Sequence, residues 1–360
     1  MVPALETAGR RVRPLIRALA GTPVNAVLSL MFGAAIAWAG IRVWRWAVAD
    51  AAFGTTPESC RAVEGACWSV VADMWPLFLV GLYPLEERWR VALAAIVVVV
   101  AAAMLALPAL RRPMPAALIG AATLLGVLGL LYGGEALGLP VVGPEKWGGL
   151  LLTLVLAVVG QTLAFPLGVL LALARTARDL PVIRVAAVCA IEAVRSLPLV
   201  LVLLLATLIT PIFLPATLPL NTMVMAQIGF VVFSGAAFAE IVRGGLQGVP
   251  PAQVEAAATL GLRYWGTMRL IVLPQALRMV QPALVGSVVS FVKGSSLVVA
   301  IGLYDLLGSA MLAAANDRWV GHSIEPLITV GAVFWAICFT LSRISARWER
   351  ERAMRMTGAR

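Results

Sequence analysis

The sequence has few charged residues, few cysteines and a single histidine, and these shortages exclude several classes of protein. Only 13% of the 360 residues are charged, whereas 61% are hydrophobic. Soluble domains are roughly 45–50% apolar, so a soluble chain of this length could not bury so much apolar surface. The four cysteines include no CxxC pair, and no cluster of His, Cys and Asp suggests a metal, redox or enzymatic centre. We therefore expect an all-α, polytopic helical membrane protein in which lipid is the solvent.

The sequence also lacks the phosphate-binding pattern GxxxxGK followed by Ser or Thr, so the chain is not expected to bind ATP itself. Its net charge of +10 would suggest nucleic acid in a soluble protein. Here the arginines flank apolar segments, so membrane orientation explains them and no nucleic-acid partner is expected. The basic N-terminus leads into an apolar segment without a small-residue cleavage signature, and we expect that segment to remain as an anchor.

Eight apolar stretches approach the roughly 20 residues that a helix needs to cross a bilayer. They lie near Val24–Ala47, Val91–Leu110, Ala116–Tyr132, Gly148–Ala174, Val182–Leu214, Met223–Val242, Ala276–Ala300 and Pro326–Ile344. A ninth candidate, Trp68–Tyr83, is short and contains Asp73 and Pro76. It is predicted to be an interfacial or re-entrant piece.

Positive charge supports this count. With eight spans and the N-terminus inside, most arginines fall on the cytoplasmic side: Arg10, Arg11, Arg13, Arg17, Arg111, Arg112, Arg175, Arg178, Arg184, Arg243, Arg263, Arg269, Arg278, Arg343, Arg347, Arg350, Arg352, Arg355 and Arg360. A ninth span would move the basic C-terminal tail outside. The asymmetry therefore predicts that both termini are cytoplasmic.

Polar residues within the apolar stretches are concentrated in the second part of the chain: Gln161, Glu192, Arg195, Asn221, Gln227, Glu240 and Lys293. Such residues are costly in lipid and usually face a bundle interior or an aqueous path. We therefore expect three regions. Residues 1–143 form an N-terminal membrane extension of about three spans with an extracytoplasmic loop, 144–348 form a five-span core with the transport machinery, and 349–360 form a basic cytoplasmic tail that contacts anionic lipid.

A short, charged segment punctuated by glycine and proline separates the sixth and seventh stretches, at residues 249–274. Pro250 and Pro251 suit the first turn of a helix over 252–260, and Gly261 occupies the position of a left-handed C-cap. A second short helix, about Tyr264–Leu270, is expected to end before Pro274. The pattern predicts a compact helix-turn-helix on the cytoplasmic face.

One flank of this segment carries the small residues Ala256, Ala257 and Ala258, so another backbone could approach closely. Glu255 lies beside them and could pair with a partner's arginine, or with Arg263 or Arg269 of the same segment. The simpler alternative is an amphipathic connector without a partner.

The segment matches a longer pattern in register, namely EAA, three residues, Gly, nine residues and Ile-X-Leu-Pro. The matching residues are Glu255, Ala256, Ala257, Gly261, Ile271, Leu273 and Pro274. This pattern resembles the cytoplasmic loop by which permease subunits of type I ATP-binding-cassette (ABC) importers bind their ATPases. The stretches 191–205, 234–246 and 290–307 resemble permeases for polar amino acids, and GLYPLEERWR at 81–90 resembles the M-type subunit of general L-amino-acid systems.

The resemblance implies a non-catalytic permease in a bacterial inner membrane that works by alternating access. Its partners would be a second permease subunit, an ATPase dimer and an extracytoplasmic amino-acid-binding protein. ATP and Mg would belong to the ATPase, and this chain would hold no cofactor. Two alternatives remain open: transport of another polar solute such as an opine, and secondary transport driven by an ion gradient.

Several polar residues of the core have two interpretations. Glu192 and Arg195, at i and i+3, could line the pathway or neutralise each other, and Pro198 should kink their helix. Lys293 with Ser290, Ser295 and Ser296 could capture a substrate carboxylate or pack helices together.

The remaining polar and sulfur-containing residues are expected to have structural roles. Glu240 and Arg243 should form a salt bridge, and Gln161 and Gln227 should join helices. Cys60 and Cys67 lie outside the membrane on this topology and could form a disulfide. Cys189 and Cys338 are expected to fill apolar space, and His322 to be solvated.

Overall fold

The computed structural model describes residues 21–54, 56, 57, 60, 63–107, 113–177, 179–213, 215 and 220–357. Over these residues the chain is helical and forms no β-strand beyond isolated bridges. The helices are α1 (Pro23–Ala49), α2 (Ser69–Val80), α3 (Arg88–Ala106), α4 (Pro113–Tyr132), α5 (Gly149–Thr176), α6 (Pro181–Arg195), α7 (Leu199–Phe213), α8 (Thr222–Gly248), α9 (Pro251–Thr259), α10 (Tyr264–Ile301), α11 (Leu306–Ala314) and α12 (Ile324–Thr357). The expected all-α architecture is confirmed.

Seven of these helices are long and apolar enough to cross a membrane, and they are α1, α3, α4, α5, α8, α10 and α12. The remaining expected span, the fifth along the chain, is a bent pair, because α6 and α7 meet at an angle of 106°. The eight-span prediction therefore holds only when this pair counts as one broken span. The short candidate at 68–83 contains the 12-residue α2, which is too short to cross a bilayer.

Several expectations fall on residues outside those described. They concern the span ends at Leu110 and Leu214, the last residues of the tail, and the side chains of Arg10, Arg11, Arg13, Arg17, Arg111, Arg112, Arg178 and Arg360.

Packing divides the chain into two compact units, one ending at Asp73 and the other beginning at Met74. In the first unit, Cys60 and Cys67 are joined as the expected disulfide. The backbone of Ala52 bonds to Ala66 and Trp68, and the Trp68 indole N–H donates to the Ala47 carbonyl at 2.7 Å. Residues of α1 are not buried within the chain. The boundary expected at residue 143 separates the membrane extension from the transport core and does not refer to packing units. It therefore stays a prediction.

In the second unit, α5 and α8 make the most extensive helix–helix contact. The Asn221 side chain caps α8 by accepting from the Val224 N–H at 2.9 Å. Between the two helices, Gln161 Nε2 donates to Ser234 Oγ at 3.1 Å, and Gln227 Nε2 donates to the Leu156 carbonyl at 3.4 Å. These contacts confirm that both glutamines join helices.

Buried polar side chains join the residues that precede α5 to one another. Tyr83 Oη donates to the Leu131 carbonyl at 2.7 Å, and burial raises the pKa of Tyr83. Arg90, which is fully buried, lies 2.7 Å from the Glu87 carboxylate and donates to the Pro140 carbonyl at 2.9 Å. Tyr83 belongs to the same apolar cluster as Leu131, Trp147 and Leu152. The helices α3 and α4 are thereby held to the core.

Close approach of α5 and α8 requires glycine at their contact. A Cβ on Gly168 would lie 2.5 Å from the Cβ of Phe238, a distance that packed atoms do not tolerate. We predict that Gly168→Ala lowers the melting temperature of the purified chain. The clash costs about 1–3 kcal/mol, which exceeds the roughly 0.5–1 kcal/mol that alanine gains over glycine in a helix.

Gly286→Ala in α10 is the matched control, since a Cβ there would meet no atom within 4 Å. It should leave the melting temperature unchanged or raise it. Equal melting temperatures for the two variants would contradict the packing argument.

Candidate functional site

The segment 249–274 begins with the predicted short helix and glycine cap. Pro251 is the first residue of α9, and the Gln253 N–H bonds to the Pro250 carbonyl at 3.0 Å. Gly261 has a φ of +75°, in the left-handed region that favours glycine. The Gly261 N–H bonds to the Ala258 carbonyl at 3.0 Å and the Leu262 N–H to the Ala257 carbonyl at 3.1 Å. This pair of bonds is a Schellman motif, so the predicted cap is confirmed.

The second half of the segment differs from the prediction. The helix that begins at Tyr264 does not end before Pro274 but passes through a π-helical turn, Met268–Val272, into the helical residues Leu273–Gly294. Proline lacks an N–H, and a wide turn just before it accommodates the missing bond without ending the helix. The site is therefore one short helix, a glycine turn and the first turns of the long helix α10.

A small core joins the end of α8 and the residue before α9 to α10. Val249, Val272 and Ala276 are buried together, and Leu246 and Met268 pack against them. The amide of Gln275 donates to the side-chain oxygen of Gln253. Ala257, which is almost fully buried, is the one alanine of its flank that faces inward, whereas Ala256 and Ala258 are exposed. The segment is thus a supported surface.

Large apolar side chains are exposed on this segment. Leu260 is 80% exposed and Trp265 is 68% exposed, and Val254, Tyr264 and Leu270 are also exposed. The rings of Tyr264 and Trp265 lie edge to face with centroids 5.4 Å apart. Exposed apolar patches mark interaction sites where they lie outside a membrane, as the sequence predicts for this segment. The sequence interpretation missed this patch. The aromatic pair Tyr264 and Trp265, which lies between two charged residues, was the signal that could have revealed it.

The structure places the pattern residues on both sides of this surface. Glu255, Ala256 and Gly261 are exposed, whereas Ile271, Leu273 and Pro274 are half-buried where the segment meets α10. The expected internal pairing of Glu255 with Arg263 or Arg269 does not form, because no ion pair between described residues includes Glu255. Its carboxylate is therefore open to a partner.

Behind the segment lies a charge cluster of Arg175, Glu192, Arg195, Glu240 and Arg243. One nitrogen of Arg175 lies 2.9 Å from both the Glu192 and the Glu240 carboxylates. Glu240 also lies 2.9 Å from Arg243, as expected, and 3.8 Å from Arg195. Glu192 and Arg195 do not neutralise each other, which corrects one interpretation. Glu192 pairs with Arg175 of α5, and Arg195 lies near Glu240 of α8. Sequence spacing cannot show the contacts of Arg175 with Glu192 and Glu240, which lie 17 and 65 residues further along the chain.

The helix break follows directly after this cluster. Arg195 is the last residue of α6, the Ser196 hydroxyl donates to the Ala193 carbonyl at 2.8 Å, and α7 begins at Leu199. Pro198 adopts extended backbone, with φ −61° and ψ 143°. The expected kink is therefore confirmed. It amounts to a break between two helices, because the chain turns by 106°.

The polar residues of the seventh span are only partly available for binding. The Ser295 hydroxyl is buried and donates to the Val292 carbonyl, and the Ser296 hydroxyl donates to the Lys293 carbonyl, both at 2.8 Å. Lys293 and Ser290 are exposed, and Lys293 forms no ion pair with another described residue. These two side chains remain available to a ligand.

His322 differs from its expected solvated state. Its Nδ1 lies 3.4 Å from a carboxylate oxygen of Glu325, which is buried at the start of α12. The two residues are one helical turn apart, so a loop residue and the first turn of the helix are joined.

Of the two free cysteines, Cys189 is exposed and Cys338 is half-buried.

A buried carboxylate lies at the other end of the core, where α5 begins. The sequence interpretation assigned it no role. Asp305 is fully buried, caps α11 by accepting from the Gly308 N–H at 3.0 Å, and contacts Thr153 Oγ1 at 3.4 Å. The Gly149 N–H donates to the Tyr304 carbonyl at 2.9 Å. These bonds tie the start of α5 to α11, and an aspartate before an apolar helical run was the available signal.

Known proteins resemble this chain over most of its length. The family described as "Binding-protein-dependent transport system inner membrane component" matches residues 164–353. The inner membrane amino-acid ABC transporter permease protein YhdY of Escherichia coli is 38% identical, over 85% of this chain and 83% of YhdY. BztC of Rhodobacter capsulatus, a glutamate/glutamine/aspartate/asparagine transport system permease protein, is 30% identical over 91% of each chain.

Two further matches are shorter. BztB, a second permease protein of that Rhodobacter system, is 34% identical over 35% of this chain and 29% of its own length. A crystal structure of an amino acid ABC transporter with histidines matches with a TM-score of 0.50 and 30% identity, covering 56% of this chain and 92% of that one.

The buried Asp305 generates a stability prediction. Asp305→Ala should destabilise the purified chain by about 0.5–2 kcal/mol through the lost cap, whereas Asp305→Asn retains an acceptor and should cost less. Burial raises the pKa of Asp305 above its usual range. The unfolded state then loses its proton first, so the wild type should lose stability relative to the Asn variant as pH rises from about 4.

Thermal unfolding of the three proteins at several pH values measures this. Equal stability of the Ala and Asn variants, or a wild type that gains on the Asn variant as pH rises, would contradict the assignment.

Proposed function

The chain belongs to the binding-protein-dependent inner membrane components, as a permease of amino-acid ABC importers, and from this premise we propose that residues 249–274 dock its ATPase. One observation carries the proposal. The residues of the pattern lie on a surface supported by packing against α10, with Glu255 exposed and unpaired among the described residues. The exposed Leu260 and Trp265 supply the apolar area that a partner would bury.

The docking residues of the proposal are Glu255, Ala256, Ala257, Gly261, Ile271, Leu273 and Pro274. Glu255 offers a charge to a partner's arginine, and Ala256 permits close approach. The other residues hold the surface: Ala257 by burial, Gly261 by its turn, and the last three by joining the segment to α10. ATP and Mg would be held by the ATPase, and no cofactor is expected in this chain.

The proposed assembly contains a second permease subunit, an ATPase dimer and an extracytoplasmic amino-acid-binding protein. The family description itself implies a binding protein and an ATP-driven system. The second permease is supported by BztB and BztC, two permease proteins of one named system that both match this chain. In this proposal, closure of the ATPase dimer draws the docking segments together and opens the pathway outward.

The proposed substrates are polar L-amino acids of the glutamate, glutamine, aspartate and asparagine type, by analogy with the named substrates of BztC. The pathway residues predicted from the sequence are Glu192, Arg195, Ser290, Lys293, Ser295 and Ser296, of which Glu192 and Arg195 are instead paired within the charge cluster. Lys293 and Ser290 are favoured to meet a substrate carboxylate because they are exposed and their polar groups are not used within the helix. The hydroxyls of Ser295 and Ser296 could still accept a hydrogen bond.

The proposal also assigns the regions and their orientation. Residues 1–143 form an N-terminal membrane extension and residues 144–348 a transport core. Segment 249–274 and both termini are cytoplasmic, and residues 349–360 contact anionic lipid. The loop that contains the Cys60–Cys67 disulfide then faces the extracytoplasmic side, where disulfides persist.

Docking is tested by Glu255→Lys. The reversed charge should repel the partner's arginine and lower the amount of ATPase that co-purifies with the permease by about tenfold, which corresponds to 1.4 kcal/mol. Glu349→Lys, an identical change at an exposed glutamate of α12, is the control and should retain the ATPase. A wild-type chain that retains no ATPase and still transports on a proton gradient would overturn the proposal.

Orientation is tested with a reporter fused after Arg360. The excess of arginine on one side of the spans predicts a cytoplasmic signal. A reporter that is active only outside the cytoplasm would contradict the eight-span topology and place the docking segment on the wrong side for an ATPase.

A further inference from the structure

Glu240 is the centre of the charge cluster and joins three helices. Its carboxylate contacts Arg175 at the end of α5, Arg195 at the end of α6 and Arg243 of its own helix, α8. The Arg243 guanidinium also donates to the Gln247 side chain at 3.0 Å, one turn nearer the docking segment. A chain of polar contacts therefore runs from the last turn of α8 to the ends of two other helices.

The cluster lies between two elements that must be connected in a coupled transporter. On one side, α8 ends at Gly248 and the docking segment begins with the next residue. On the other side, Arg195 is the last residue before the 106° bend between α6 and α7. A displacement of α8 by a partner therefore reaches the bend through the contact between Glu240 and Arg195.

The contacts within the cluster are unequal. Arg175 and Glu240 are shielded, with side chains 19% and 16% exposed, and lie 2.9 Å apart. The Arg195 side chain is 44% exposed and lies 3.8 Å from Glu240. Three arginines share two glutamates, so Arg195 competes with two closer guanidinium groups for one carboxylate. The link to the broken span is the weakest contact of the cluster and the easiest to break and re-form.

We propose that Arg195 is a positioning residue, which transmits movement of the docking segment to the bend between α6 and α7 through Glu240. This inference rests on the proposed docking function, since it needs a partner that moves the segment. Its physical basis is the Glu240–Arg195 contact at the joint of the bent pair, and it requires that this pair have a second arrangement whose population the contact biases. Removing the charge of Arg195 should weaken coupling without removing the ATPase.

The test uses the complete transporter in proteoliposomes, with a radiolabelled mixture of L-amino acids as the probe. Arg195→Gln should lower the number of amino acids transported per ATP hydrolysed by about 2- to 30-fold. Arg195→Lys keeps the charge and should restore most of this ratio. Arg184→Gln removes an exposed arginine of the same helix that forms no ion pair with another described residue, and should leave the ratio unchanged.

ATPase retention and melting temperature are measured in each preparation, because a merely structural role would change them. A wild type without bound ATPase would refute the docking proposal. With ATPase bound, an unchanged ratio in Arg195→Gln, or an equal loss in Arg184→Gln, would overturn this inference alone. An Arg195→Gln variant that fails to assemble would also overturn it, since the residue would then be needed for folding and not for coupling.

Discussion

A lipid bilayer offers no hydrogen-bond partners to a peptide group, and this constraint determines how the membrane-spanning helices of the chain are built. It explains why the described residues fold into helices and why irregular backbone is confined to helix ends and turns. Where a helix must deviate, a neighbouring group compensates. The π-helical turn before Pro274 and the serine hydroxyl at the break after Arg195 are two such cases.

The same constraint determines where polar side chains lie. Within the packed contact of α5 and α8, Gln161 and Gln227 bond to the facing helix. At the helix ends, charges collect into the cluster centred on Glu240, and Asp305 at the other end of the core is a cap. Polar groups that are not used in this way, such as Lys293, become the candidates for contact with a transported solute.

Local features were predictable because their physics is local. The turn at Gly261 needs a residue without a Cβ, and the contacts that define it lie within six residues. The salt bridge between Glu240 and Arg243 spans one helical turn. The Cys60–Cys67 pair is separated by seven residues. The prediction for Glu192 failed because a distant element intervened: Arg175 of α5 pairs with it in place of Arg195. Two other predictions failed on local contacts: Pro274 did not end its helix, and His322 lies beside Glu325, three residues along the chain.

The amino-acid sequence alone was enough to establish a helical membrane protein, its apolar spans and the segment that carries the family pattern. Composition and spacing along the chain encode all three, because the bilayer responds to runs of residues. Only the tertiary structure decided that the fifth span is broken and that Glu240 of α8 contacts the ends of α5 and α6. It also decided that the docking segment continues into α10 as one supported surface. These features depend on which side chains meet across separate helices, and linear spacing does not contain that information.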